Sequence, residues 1–196
     1  MNDFGDSIKI KTNNIEPSKG RILISEPFLL DNFFKRSVVL LAEHNEEGTF
    51  GVIINKPVEA KFNEIVKDFP DLDAQLYLGG PVQSDGLFFI HTMGEVIPES
   101  MEIIEGLYWG GDIETVREMI TLNKLDEDNI RFYIGYSGWG PQQLNDELKR
   151  NSWVVSNINT EQLLNTRPNA LWKRSLMRLG GDYALWPKFP DDPSSN

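Results

Sequence analysis

A serine framed by glycines and two histidines are the residues of this chain whose types suit nucleophilic catalysis. A serine nucleophile on a strained turn needs Gly-x-Ser-x-Gly, so that the hydroxyl projects from a tight bend. The segment Gly135-Tyr136-Ser137-Gly138-Trp139 has Trp139 where the second framing glycine belongs. The bases of the usual type, His44 and His91, both precede Ser137, which inverts the order in which α/β-hydrolases present their triad. Ser137 therefore reads better as a turn residue in a glycine-rich loop than as a nucleophile.

Metal and nucleotide chemistry fare no better. The sequence has no His-Glu-x-x-His, and the neighbours Glu43 and His44 must face opposite sides of one strand. A site built from His44, His91 and a carboxylate requires their strands to be adjacent. A strand-end histidine satisfied by a backbone carbonyl is the simpler expectation. With no cysteine, thiolate nucleophiles, disulfides and cysteine zinc sites are excluded. The glycine loops of nucleotide-binding proteins are missing, and no carboxylate pair stands out as acid and base. No cofactor and no metal is expected.

Charge narrows the partners. Lys and Arg total 19 against 30 Asp and Glu, giving −11 and an isoelectric point near 4.6. That balance argues against broad neutralisation of nucleic-acid phosphates and against docking on anionic membranes. One stretch runs the other way. Gln162 to Gly181 holds Arg167, Lys173, Arg174 and Arg178 and no acid, so the remaining 15 basic and 30 acidic residues leave −15 elsewhere. Such a stripe can meet an acidic partner or a phosphate, although a helix docked on its own acidic body is the plainer reading.

These residues must be positioned by one moderate-sized domain, since no Pro/Gly/Ser linker divides the chain. Residues 1–19 and 187–196 read as flexible tails around a domain at 20–186. No secretory signal is evident, and the longest aliphatic run, Val38 to Ala42, is far short of a membrane span, so a cytoplasmic location is expected. Strands are expected at 21–25, 37–44, 49–55, 75–78, 87–91, 107–109, 131–136 and 153–156. The second and third flank Asn45-Glu46-Glu47-Gly48 as a hairpin and are apolar almost throughout, as strands covered on both faces are. Helices are expected at 62–69, 113–122, 142–150, 160–165 and 169–179. The mixed order without a βαβ repeat indicates an α+β fold. Leu76 to Gly80, Leu107 to Gly111 and Phe132 to Tyr136 repeat one theme, an aromatic strand running into glycine. Those turns permit close packing; they could also cradle an anion at a helix N-terminus.

The blocks Gly20 to Pro27, Asp31 to Phe34, Arg36 to Leu41, Glu43-His44, Gly51 to Pro57, Gly79 to Gln83, Phe89 to His91, Gly106 to Asp112 and Gly135 to Leu144 stand in a recognisable order. Together they resemble the YqgE/AlgH family. The likeness runs in order over about residues 20 to 186. Where many members carry Asp-Arg-Gly after Pro-Val-Gln, this chain has Ser84-Asp85-Gly86. The resemblance implies an α+β fold with a bent or bifurcated, mostly antiparallel sheet forming a pseudo-barrel, flanked by helices. One branch's name suggests a transcriptional regulator, but the chain has no helix-turn-helix signature and the wrong charge for reading DNA.

The leading expectation is a non-enzymatic binding or regulatory protein acting through a protein partner or a small anionic ligand. The alternative is a hydrolase or transferase acting on an anionic small molecule, with His44 or His91 as base beside the glycine turns. The candidate ligand- or partner-binding residues are the polar groups of strand ends and loops: Arg36, His44, Asn55, Gln83, His91, Ser137 and Gln143. Trp139, between two glycines, joins them as an expected exposed anchor.

Overall fold

The computed structural model describes residues 13–190, so both expected tails lie partly outside the described residues. The first half of the chain forms β1 (Arg21–Ser25), β2 (Val38–Asn45), β3 (Gly48–Ile53), β4 (Pro57–Lys61), α1 (Phe62–Ile65), β5 (Gln75–Leu78) and β6 (Val82–His91). Then follow β7 (Met101–Ile104), β8 (Leu107–Trp109), α2 (Ile113–Thr121), β9 (Ile130–Trp139), α3 (Gln143–Lys149) and β10 (Trp153–Asn157). Two helices, α4 (Thr160–Asn165) and α5 (Pro168–Leu179), and a 3-10 segment (Gly181–Lys188) close the domain. The fold is α+β, with a mostly antiparallel sheet.

The main ladder runs β10-β1-β2-β3-β9-β6-β8-β7. It forks at β9. The C-terminal part of β9 pairs with β3 (Gly51↔Ser137, Thr49↔Trp139), while its N-terminal part pairs in parallel with β5 (Leu76↔Phe132, Leu78↔Ile134). Strand β6 runs along the opposite edge of β9. The sheet is therefore bent and bifurcated, as expected. It is not closed into a barrel: β10 and β7 end the ladder without pairing to each other.

Three apolar clusters hold this sheet. Leu171, Trp172 and Leu176 of α5 and Trp186 cover one face through Ile22, Ile24, Val38, Leu40, Val52 and Tyr133. Leu144 and Leu148 of α3 cover the other face through Leu23, Val39, Leu41 and Ile53. Helix α2 covers the β5–β9–β6 wing through Val116, Met119 and Ile120 against Leu76, Phe89 and Phe132. Each fully buried aliphatic side chain contributes about 1.5–3 kcal/mol, which explains why β1 and β2 are apolar on both faces.

Helix starts follow local chemistry. The Asp112 carboxylate accepts from Thr115 N–H at 2.8 Å, Asn159 and Gln162 form a capping box on α4, and Pro168 opens α5. Two strands were not anticipated. Pro57 begins β4, whose sole strand partner among the described residues is β5; an edge position tolerates a missing N–H. Strand β7 is a similarly short edge partner of β8. Helix α1 is shorter than expected, ending before Asp68, which has φ +56°.

Candidate functional site

Two irregularities aim side chains at one open region of the sheet. In β2 the register shifts between Leu41 and Glu43, so Glu43 rather than Ala42 lies opposite Phe50 of β3. A bulge of this kind redirects the residues beyond it. Glu43 thus shares the Phe50 face, while His44, opposite Thr49, faces α3. In β9, Ile134 packs into the α2 cluster and Tyr136, two residues on, into the α5 cluster. Residues i and i+2 of a regular strand share a face, so the alternation breaks at Gly135. Its φ is +67°, and an added Cβ would lie 2.4 Å from the Gly80 carbonyl oxygen. Only glycine fits this pivot.

The result is a cleft of about 740 Å³. Its floor is four half-buried rings in a closed circuit. Phe50 lies edge-on to Trp109 (5.5 Å between centroids), Trp109 stacks on Phe88 (5.7 Å), Phe88 meets Tyr136 (5.3 Å) and Tyr136 returns to Phe50 (6.2 Å). These rings come from β3, β8, β6 and β9. Around them stand Glu43, Asn45, Glu47, Val82 and Gln83, and among the described residues every charged one in the lining is acidic. Gln83 holds a left-handed φ of +46° at this rim.

The structure scatters the eight sequence candidates. Gln83 lines the aromatic cleft. Trp139 borders it but is only 5% exposed; its Nε1 and that of Trp153 both donate to Glu147 Oε2, at 2.9 and 2.7 Å. The expectation of an exposed anchor is corrected: the ring packs among Leu41, Leu144 and Trp153, over the helix that follows. Gln143 accepts from Gly140 N–H at 3.0 Å and donates to Glu147. Ser137 is fully buried and its hydroxyl donates to the Gly79 carbonyl (2.9 Å), tying β9 to the end of β5. Asn55 accepts from Val38 N–H (2.7 Å) and donates to Arg36 C=O (3.0 Å). Arg36 places its guanidinium over the Trp172 ring at 4.9 Å and donates to the Phe189 carbonyl.

The histidines do not meet. Their strands, β2 and β6, are separated by β3 and β9. His44 Nδ1 lies 2.6 Å from Thr49 Oγ1, beside a smaller cavity of about 260 Å³ that Gly140, Gln142 and Asn145 also line. His91 is buried and stacks on Tyr108. Its Nδ1 accepts from Met93 N–H (3.1 Å), which assigns the proton to Nε2, the donor to Gly110 C=O (2.8 Å). Burial pushes the imidazole below its ordinary pKa, opposed in part by the bond to Gly110. Among the described residues no group of three acidic or histidine side chains is placed to hold a metal.

The sequence reading missed the rings themselves. Phe50, Phe88, Trp109 and Tyr136 lie in strands whose aromatic content reads as core, and their convergence depends on a fork and two irregularities invisible in a linear pattern.

Similarity to known proteins agrees with this architecture. The AlgH-like family model matches residues 22–184, and the chain belongs to that family. UPF0301 proteins of Bacteroides fragilis and Bacteroides thetaiotaomicron are each 45% identical over 197 residues, spanning all of both chains. The AlgH protein of Pseudomonas aeruginosa, solved in solution, superposes with a TM-score of 0.69 at 28% identity, over 90% of this chain and 98% of that one. A Corynebacterium diphtheriae protein solved by crystallography gives 0.73 at 21% identity, over 89% and 94%, and so supports the fold alone. No helix among the described residues is long and apolar enough to cross a membrane.

Proposed function

We propose that this chain is a non-enzymatic cytoplasmic binding or regulatory protein that engages a protein partner or small ligand through the aromatic cleft. The observation carrying this reading is the circuit of Phe50, Phe88, Trp109 and Tyr136, left half-buried in a concavity of about 740 Å³. Contiguous apolar surface of this kind is costly to leave in water and marks interaction sites. A hydrolase reading has less support, because the Ser137 hydroxyl is sealed against Gly79 and His91 spends both ring nitrogens on backbone groups. Direct DNA reading has none from the charge, since among the described residues the only charged side chains lining the cleft are acidic.

The test is a backbone-amide NMR titration with a chemically mixed fragment set. Hits should perturb Phe50, Phe88, Trp109, Tyr136 and Gln83 together, and Trp109→Ala should weaken them at least tenfold in a folded protein. Fragment shifts confined to other regions, or none at all, would remove the reading.

A further inference from the structure

We infer that the aromatic cleft is selective for an organic cation, a guanidinium or alkylated ammonium group carried on an apolar stem. This deepens the binding reading above and rests on it. The floor offers four ring systems, and the face of an aromatic ring attracts a cation held within about 6 Å of its centroid. Tryptophan is the strongest such ring and tyrosine is next, and both are present in Trp109 and Tyr136.

The rim acts in the same direction. Glu43 is carried onto the Phe50 face by the β2 irregularity, and Glu47 stands in the following turn. One Glu43 oxygen accepts from His44 N–H (3.0 Å), which steadies that carboxylate beside the rings. Among the described residues, no lysine or arginine lines the cleft to neutralise either carboxylate in place. An anion would meet both carboxylates and the negative faces of the rings. A neutral apolar ligand would gain the floor but make no use of the rim. The rings accept the apolar stem while the carboxylates set the sign of the charge, which is how a concave site obtains both affinity and selectivity.

Two sources supply this chemistry: a free alkylated amine, or an arginine side chain of another protein. The probes are choline, its uncharged isostere 3,3-dimethylbutan-1-ol, acetyl-arginine-amide and sulfate, each titrated by amide NMR. Choline and acetyl-arginine-amide should shift Phe50, Phe88, Trp109 and Tyr136 at least tenfold more tightly than the neutral isostere, and sulfate should leave them unmoved. Glu43→Gln with Glu47→Gln should abolish the preference for charge while leaving the isostere's affinity unchanged, which separates lost electrostatics from lost folding. Tighter binding of acetyl-arginine-amide than choline assigns the cation to a protein partner; the reverse order assigns it to a free amine. Equal binding of choline and its isostere at these residues overturns the cation inference and leaves the binding reading standing. No shift at these residues with any probe, charged or neutral, overturns both.

Discussion

Replacing Asn55 with alanine removes two hydrogen bonds at the start of β2. Asn55 Oδ1 accepts from Val38 N–H at 2.7 Å and Nδ2 donates to Arg36 C=O at 3.0 Å. Val38 is wholly buried, so its N–H has no access to water once the amide is gone. A buried backbone group left unpaired costs about 1–3 kcal/mol. Arg36 is half-buried, and its carbonyl can recover part of its hydration. Assigning about 2 kcal/mol to Val38 and about 1 kcal/mol to Arg36 gives a loss of about 3 kcal/mol. In a domain of this size that lowers Tm by roughly 6–12 °C. Asn55→Asp separates the two bonds, because it keeps an acceptor for Val38 while turning an anionic oxygen towards the Arg36 carbonyl. Urea unfolding followed by circular dichroism should rank Asn55→Ala well below the parent, with an unchanged m-value and unaltered cleft binding by the folded fraction. A stability within about 0.5 kcal/mol of the parent, the range of ordinary surface substitutions, would refute the structural role. Retained stability with lost ligand binding would instead make Asn55 the binding residue that the sequence reading expected.

Two further outcomes follow from buried groups. His91 has a folded-state pKa below its ordinary value because burial disfavours the imidazolium, so the unfolded chain binds more protons on acidification. Stability should therefore be full above about pH 6.5 and fall as pH drops from there to the folded-state pKa; comparison with His91→Phe across pH 5–8 isolates this slope, and a parent-minus-variant difference that stays flat or rises on acidification would contradict it. Gly135→Ala should cost at least about 1–2 kcal/mol for the left-handed backbone alone, more for the clash with Gly80, and should displace Tyr136 from the cleft. A variant of parental Tm with unmoved Tyr136 resonances would show that the pivot does not need glycine.

How much of this was legible in the sequence depends on what kind of signal each element carries. Strands β5 and β8 and helix α4 fall where expected because each is short, strongly patterned and bounded by glycine, proline or a cap. The near-continuous apolar run of β2 correctly indicated coverage on both faces. That continuity also hid the irregularity after Leu41, because a strand without alternation gives no phase to lose. Strand β4 was missed because an edge strand facing water shows no apolar run, and β6 and β9 were cut short where Gln83, Ser84, Asp85 and Gly138 interrupt theirs. The polar candidates were sought where polar residues at strand ends commonly bind ligands. Asn55, Ser137 and His91 instead bond backbone groups at strand ends: Val38 N–H and Arg36 C=O, Gly79 C=O, and Met93 N–H and Gly110 C=O. Strand ends and irregularities expose such groups, and short polar side chains are the cheapest way to answer them.

The same fork accounts for the opening. Phe50, Phe88, Trp109 and Tyr136 pack against the cluster that α5 and Trp186 cover, yet no residue of α5 or of the 3-10 segment reaches the cleft lining. The helices thus cover only part of that apolar face and leave its aromatic end exposed. Leu171, Trp172 and Leu176 dock α5 on the body of the domain, the plainer of the two sequence readings, while Lys173, Arg174 and Arg178 remain exposed. Their charge stays out of the cleft, where it would offset Glu43 and Glu47. An exposed aromatic floor lowers stability on its own account. A covering group that is cationic and partly apolar would satisfy both this floor and the carboxylates at its rim.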